Sequence, residues 1–320
     1  MNNTAHPNQN TSTPSKLVIA SRESALAMWQ ARHIAGLLEN AGFTTEIIDI
    51  VTIGDKILDR SLSKIGSKGV FTEELESMLR NGEIDIAQHS AKDLPSRLAA
   101  DLPLIAFTKR EAAHDVVLSL NSEFRLASKA AVVGTSSTRR RAMLAKNFPQ
   151  HTLVEMRGNL QTRLEKLKNG DCEAMILAFA GVHRMGMESF IVEHLTIDTF
   201  TPAVGQGSVA IQCSTNLDSD LQKQIREICN DPSTEACLLA ERHLLAQLDG
   251  GCSVPVYGHA KQGEYGMELI AGVLGLRGEI ELKSSGIGND SMALGTQVAN
   301  ELIAQGAQAL LKDIRKQLAS

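Results

Sequence analysis

"KLVIASRESALAMWQARHIAGLLENAGFTTEIIDI", residues 16–50, decides the fold. It opens on a short apolar run, KLVIA, with the character of a buried strand. Leu26, Trp29, Ile34, Leu37 and Leu38 then recur at loose helical spacing. Ser21 or Ser24 can cap that helix and Gly42 can end it. TEIIDIVTIG reads as the next strand. DKILDRSLSKIGSKGVF has little periodicity and reads as a loop. TEELESMLRNG reads as a helix with an acidic first turn and Gly82 at its end. EIDIAQHSAKDLPS begins as a strand and turns into a polar loop at His89. The first hundred residues therefore alternate β-α-β-α-β, which predicts an α/β fold: a parallel or mixed sheet with helices on its faces. Ligands of such sheets sit beyond the carboxyl ends of the strands.

The pattern then restarts. AAVVGTSSTRRRAMLAKNF and HTLVEMRGNLQTRLEKLKNG each read as strand, turn and helix, and CEAMILAFAGVHRMG as an apolar strand running into a short helix. Residues 114–201 form a second α/β unit on this reading. TPAVGQGSVAIQC is a glycine-punctuated strand that can cross back to the first unit. DPSTEACLLAERHLLAQLDGG is a long helix, with Pro232 in its first turn and Gly250–Gly251 at its stop. A β-meander and a closing helix, VANELIAQGAQALLKDIRKQL, complete a small α+β domain that starts near residue 231. No internal repeat of fixed period is present.

A chain of 320 residues suggests two domains, with three possible. Hydrophobic residues make up 43% and charged residues 22%, as in an ordinary globular protein, but aromatics are only 3%, so the core is aliphatic. A net charge of −5 argues against a nucleic-acid partner, so any anion site is a local cluster on an acidic background. Cys172, Cys213, Cys229, Cys237 and Cys252 are scattered, with no metal-ligand or CxxC spacing, which points to free thiols in a reducing compartment. Residues 1–15 are polar, lack the apolar segment of a signal peptide, and are expected to be a disordered tail. No stretch reaches the ~20 apolar residues that span a bilayer. No membrane partner is expected, and the protein is expected to be cytoplasmic.

Arginine recurs where helices begin. GTSSTRRR (134–141) follows a strand and opens a helix, so free N–H groups, the hydroxyls of Ser136, Ser137 and Thr138, and the forks of Arg139 and Arg140 converge. MRGNLQTR repeats the plan with Arg157 and Arg163, Arg184 ends AGVHR, and Arg22 and Ser24 occupy a strand-to-helix turn in the first unit. Each arginine alone is most simply a solvated helix face. Together they imply a ligand with several carboxylates or phosphates, and arginine suits planar carboxylates. Asp93, beside Lys92 in HSAKDLPS, would be a lone anion in a positive cleft, able to stabilise a cation or carry a proton. The simpler alternative is a salt-bridge partner or helix cap. Lys64 and Lys68 lie in a glycine-rich loop, either simply solvated or a lid over an anion. In LDGGCSVPVYG, two glycines free the backbone before Cys252, so its thiol can face a cleft, although an isolated cysteine is commonly a small buried hydrophobe.

SRESALAMWQ, KIGSKGVFTEELE, IDIAQHSAKDLP, VGTSSTRRR, RGNLQTRLEKL, AFAGVHRMG, PAVGQG and DGGCSVP occur in order and resemble the hydroxymethylbilane synthase, or porphobilinogen deaminase, family from about residue 16 to 260. The last sixty residues match only in general character, and Asp249 stands where the family often has Glu. The resemblance implies two α/β domains like the lobes of a periplasmic binding protein, with a central cleft, plus a small C-terminal α+β domain. Residues 16–113 and 202–228 would form domain 1, 114–201 domain 2 and 231–320 domain 3. It implies a transferase that joins four porphobilinogen molecules head to tail into hydroxymethylbilane, releasing ammonia each time, on a dipyrromethane cofactor held by a thioether to Cys252. By motif match Asp93 is catalytic. Ser90, Lys92, Ser137, Arg139, Arg140 and Arg163 bind the cofactor. Arg22, Ser24, Arg157, Arg163 and Arg184 bind the substrate or later rings, and Lys64 and Lys68 belong to a mobile loop. No metal is implied. A monomer is expected, with possible hand-over to uroporphyrinogen III synthase. Two other readings are a binding protein for a polyanion and a thiol-dependent transferase for phosphorylated substrates. The first has no use for Asp93 or a presented thiol. The second lacks a P-loop.

Overall fold

The computed structural model describes residues 16–52, 72–251 and 253–319. The expected tail at 1–15, Lys64, Lys68 and Cys252 lie outside the described residues. No described helix is long and apolar enough to cross a membrane.

The opening stretch forms β1 (Lys16–Arg22), α1 (Ala25–Asn40) and β2 (Thr44–Ile50). Ser24 is the cap of α1, its Oγ accepting the Ala27 N–H at 3.3 Å. The helix buries Ala27, Ala31, Ile34, Ala35 and Leu38 on one face. α2 (Glu73–Asn81) starts on three acidic residues that complement the helix dipole and stops at Gly82, whose φ of +69° suits glycine. β3 (Ile86–Ser90) and β4 (Leu104–Phe107) follow. β3 continues through His89 to Ser90, two residues further than the sequence suggests, with His89 buried and bonded to Gln212 at 3.0 Å.

The second run comprises β5 (Asp115–Ser119), β6 (Val132–Gly134), α3 (Thr138–Asn147), β7 (Thr152–Val154), α4 (Leu160–Lys168), β8 (Ala174–Ala178), α5 (Phe179–Arg184) and β9 (Ile191–His194). Ser137 and Asn159 cap α3 and α4 through side-chain oxygens. After β10 (Val209–Cys213) come α6 (Ser219–Cys229) and α7 (Pro232–Gln247), the latter capped by Asp231 with Pro232 in its first turn. The stretch expected to be strand from 201 onward is strand only from Val209. Before it, Gly205 and Gly207 take φ of +77° and +98° in a tight turn.

Two five-stranded sheets result, with orders β2-β1-β3-β10-β4 and β7-β6-β8-β5-β9. In each, three parallel strands adjoin an antiparallel one, β10 or β5, which also pairs antiparallel with the last strand. The second sheet is built from one continuous segment, whereas β10 returns to the first sheet after the second is complete. Each sheet carries apolar clusters, as its buried inner strands, β3 and β10 in the first and β5 and β8 in the second, require.

β11 (Val256–Gly263), β12 (Gly266–Leu274) and β13 (Glu281–Gly288) form the expected meander, covered by α7 and by α8 (Ser291–Ala304). The closing helix is two helices. α8 ends at Ala304, Gly306 takes φ of +102°, and α9 (Ala307–Ala319) follows, so the glycine breaks a pattern whose apolar spacing continues across it. This unit packs on both others: Tyr257 joins the second sheet's core, and Leu238 of α7 joins Ala91, Leu94, Phe107 and Ala210 of the first.

Candidate active site

The carboxyl ends of β1, β3, β6, β7 and β8 converge on one cleft. β3 ends at Ser90 and passes into a single 3-10 turn, Ala91–Asp93. Ala91 and Leu94 are buried on either side, so Lys92 and Asp93 are lifted between two apolar anchors. The Ala91 N–H donates to the Ser208 carbonyl at 3.0 Å. Gly205 crosses behind: a Cβ there would lie 2.8 Å from the Ala91 carbonyl carbon and 2.9 Å from the Lys92 nitrogen, so only glycine permits the approach.

Two cavities meet at this turn. The larger, about 910 Å³, is lined by Arg22, Ser24, Ser90 and Arg184. The smaller, about 490 Å³, is lined by Ser136, Ser137, Thr138 and Arg139, and by Gly251 and Ser253 of the C-terminal unit. Lys92, Asp93, Arg140, Arg157, Arg163 and Gln206 line both. All eleven described residues expected at the site therefore line one cavity or both. Lys64, Lys68 and Cys252 are outside the described residues.

The serines serve the backbone as well as the cavity. Ser24 and Ser137 accept N–H groups as helix caps, and Ser90 pairs with Gln30, so each anchors its own turn. Arg163 Nε donates to the Gly158 carbonyl at 2.8 Å. Burial, with Arg140 and Arg157 adding to it, brings its pKa down to about 10. Enclosure in the cleft brings Lys92 down to about 8, against the pull of Asp93 and with the push of Arg140. Both shifts record positive charge held in a confined space, which favours anionic ligands.

Sequence reading missed Asp115. It is fully buried at the start of β5, and Arg139 and Arg140 close on it. Arg139 Nη2 donates to Oδ2 at 2.7 Å, and Arg140 donates through Nη2 to Oδ1 at 2.8 Å and Nε to Oδ2 at 3.1 Å. Gln206 Nε2 adds a fourth donor at 2.8 Å. Burial opposes its ionisation, yet the two guanidinium groups hold its carboxyl well below the usual carboxylate range. The signal was present: an aspartate leading the apolar run Val116–Leu118 must find a partner inside. Gln206 gave no such signal, since its place depends on the turn at Gly205 and Gly207.

The smaller cavity fits a polycarboxylate. Arg139 Nε and Thr138 Oγ1 are buried with no hydrogen-bond partner among the described residues, and both side chains line it. Buried donors of this kind want acceptors. Among the described residues no group of three or more His, Cys, Asp or Glu could hold a metal ion.

A family model described as "Porphobilinogen deaminase, dipyromethane cofactor binding domain" matches residues 17–223, and one described as "Porphobilinogen deaminase, C-terminal domain" matches 235–304. The chain belongs to the porphobilinogen deaminase family. A porphobilinogen deaminase of Desulfosudis oleivorans is 45% identical over 303 residues, covering 93% of this chain and 98% of its own. One from Cytophaga hutchinsonii is 46% identical, covering 94% and 97%. Among solved structures, a periplasmic domain of BvgS from Bordetella pertussis superposes with a TM-score of 0.40 at 16% identity, over 71% of this chain and 91% of its own. An ancestral cationic amino acid solute-binding protein gives 0.38 at 10%, over 66% and 87%. Values this low add nothing to the family assignment. Dipyrromethane, the cofactor named for the family's first domain, is a polycarboxylate of the kind that these unpartnered donors suit.

Proposed function

We propose that the smaller cavity holds the dipyrromethane primer, that the larger receives porphobilinogen and the growing chain, and that Asp93 serves the reacting centre between them. The observation that carries this reading is that Lys92 and Asp93 line the wall common to both cavities. The family's activity joins four porphobilinogen units head to tail into hydroxymethylbilane, with loss of one ammonia per addition, in tetrapyrrole biosynthesis. When bound, dipyrromethane supplies the pyrrole α-carbon to which the first unit is joined.

The chain's own residues do the rest. Lys92, Ser137, Arg139, Arg140 and Arg163, with Ser90 on the larger cavity's side of the same turn, hold the primer's four carboxylates. Arg22, Ser24, Arg157, Arg163 and Arg184 hold the acetate and propionate of the incoming unit, and Lys64 and Lys68 extend that set by motif match. Asp93 accepts the pyrrole N–H. As the C–N bond of porphobilinogen's protonated aminomethyl group breaks, the bonding pair leaves with the nitrogen as ammonia, and the Asp93 carboxylate stabilises the cation left on that pyrrole. A C–C bond then forms, and Asp93 is placed to take up the proton released from the attacking α-carbon.

Cys252 is the tether on this reading. Its neighbours Gly251 and Ser253 line the smaller cavity. The other four cysteines are buried, and burial pushes the thiols of Cys172, Cys213 and Cys237 up to about 11 and that of Cys229 to about 12, which leaves them inert. Residues 16–113 with 202–228, 114–201 and 231–320 act as three domains, with 1–15 as a tail. The enzyme works as a cytoplasmic monomer and hands its product to uroporphyrinogen III synthase. The mass of the intact protein tests the tether. A gain of two porphobilinogen units less two ammonia, absent from Cys252→Ala, is expected. A folded, active protein with bare polypeptide mass would overturn it.

A further inference from the structure

Arg184 ends α5 on the second sheet, yet it is held by the first half of the molecule and by the returning link. Its Nη2 donates to the Gly207 carbonyl at 2.7 Å, and its Cζ lies 5.4 Å from the ring centroid of Trp29 on α1. Trp29 does not line the cleft. It stands behind the wall that Arg184 helps to form, and its ring is stacked on His33, one helical turn on, at 5.4 Å and 12°.

This is a different way of holding an arginine from the one at Asp115. A carboxylate that grips a guanidinium also compensates its charge, as at Arg139 and Arg140. A carbonyl and a π-face orient the fork and leave its formal charge uncancelled. Among the described residues no carboxylate hydrogen-bonds or ion-pairs with Arg184, although the charge of Glu111 acts on it from further away, and Arg184 lines the larger cavity.

We propose that Trp29 is a positioning residue for the reaction: its ring fixes the Arg184 guanidinium across the cleft with its charge intact, so that the fork meets a carboxylate of incoming porphobilinogen. The proposal rests on the larger cavity being the substrate site. Trp29 then acts on substrate capture and not on the chemistry at Asp93.

Steady-state kinetics on primer-loaded enzyme test it. Trp29→Leu should raise the KM for porphobilinogen by roughly three- to tenfold, with kcat within about twofold of the parent. Trp29→Phe should restore most of the loss, because a phenyl ring also offers a π-face. Adding Trp29→Leu to Arg184→Gln should cost nothing more than Arg184→Gln alone. An unchanged KM in Trp29→Leu, equal losses in the Leu and Phe variants, or additive losses in the double variant would each overturn the proposal. Trp29 is the chain's one tryptophan, so a second measurement needs no substitution at that position. Its emission should change when porphobilinogen is added to the parent and not when it is added to Arg184→Gln. Unchanged emission in the parent would overturn the proposal even if Trp29→Leu fails to fold. A normal KM in Arg184→Gln would instead overturn the reading of the larger cavity as the substrate site, and this proposal with it.

Discussion

The two five-stranded sheets share one spatial arrangement of parallel and antiparallel strands and do opposite work. At the end of β3 the first sheet presents Asp93, held by apolar anchors at Ala91 and Leu94. In the turns and helices that follow its own strands the second sheet presents Arg139, Arg140, Arg157, Arg163 and Arg184. A turn with one carboxylate needs only packing to fix it. A face that gathers so many guanidinium groups needs a counter-charge inside, and Asp115 is that counter-charge. The scaffold is neutral as to chemistry, and the strand-end residues decide which half supplies acid and which supplies cations.

Removing the counter-charge should break the comparison most severely. Asp115→Ala leaves Arg139 and Arg140 buried without compensation and should cost about 3–5 kcal/mol of stability, read from urea unfolding. The sign with pH follows from the lowered carboxyl: the stabilisation is complete above the ordinary aspartate value of about 3.9 and is lost as pH falls below it. A variant that unfolds at the parent's midpoint would show that the arginines need no internal partner. Asp93→Asn should do the reverse, keeping the unfolding midpoint while kcat falls by roughly a hundredfold or more, since the exposed side chain anchors nothing. Near-normal turnover would remove Asp93 from its role.

The smallest expected effect concerns Lys92, the cation that the first sheet lends to the shared wall. Its pKa of about 8 means that its charge is present below that pH and lost as pH rises through it. Primer acquisition by primer-free enzyme should therefore slow above pH 8, by a few-fold, and Lys92→Arg should move the decline to higher pH because arginine stays charged. A profile identical in both proteins would show that Lys92 contributes no charge to primer binding.

The sequence made much of this legible because the signals are local. Strand, cap and helix follow one another within twenty residues, so Ser24, Ser137 and Asn159 and the arginines beside them fall at strand ends by pattern alone. What stayed hidden depends on contacts between distant segments. Asp115 meets Arg139 and Arg140 only once β5 lies against β8, and Gln206 reaches Asp115 across more than ninety residues of chain. The break at Gly306 was missed because apolar spacing runs through it, and the common arrangement of the two sheets leaves no repeat in the letters.

The late return of β10 has a consequence for the order of events at the ribosome. Its place between β3 and β4 can be filled only after Val209–Cys213 has been made, about a hundred residues after β4. All five strands of the second sheet, from Asp115 to His194, have by then left in one unbroken segment. The half encoded second can therefore close first, and the half encoded first waits with two unpaired edges on display, a period in which a nascent chain is exposed to aggregation.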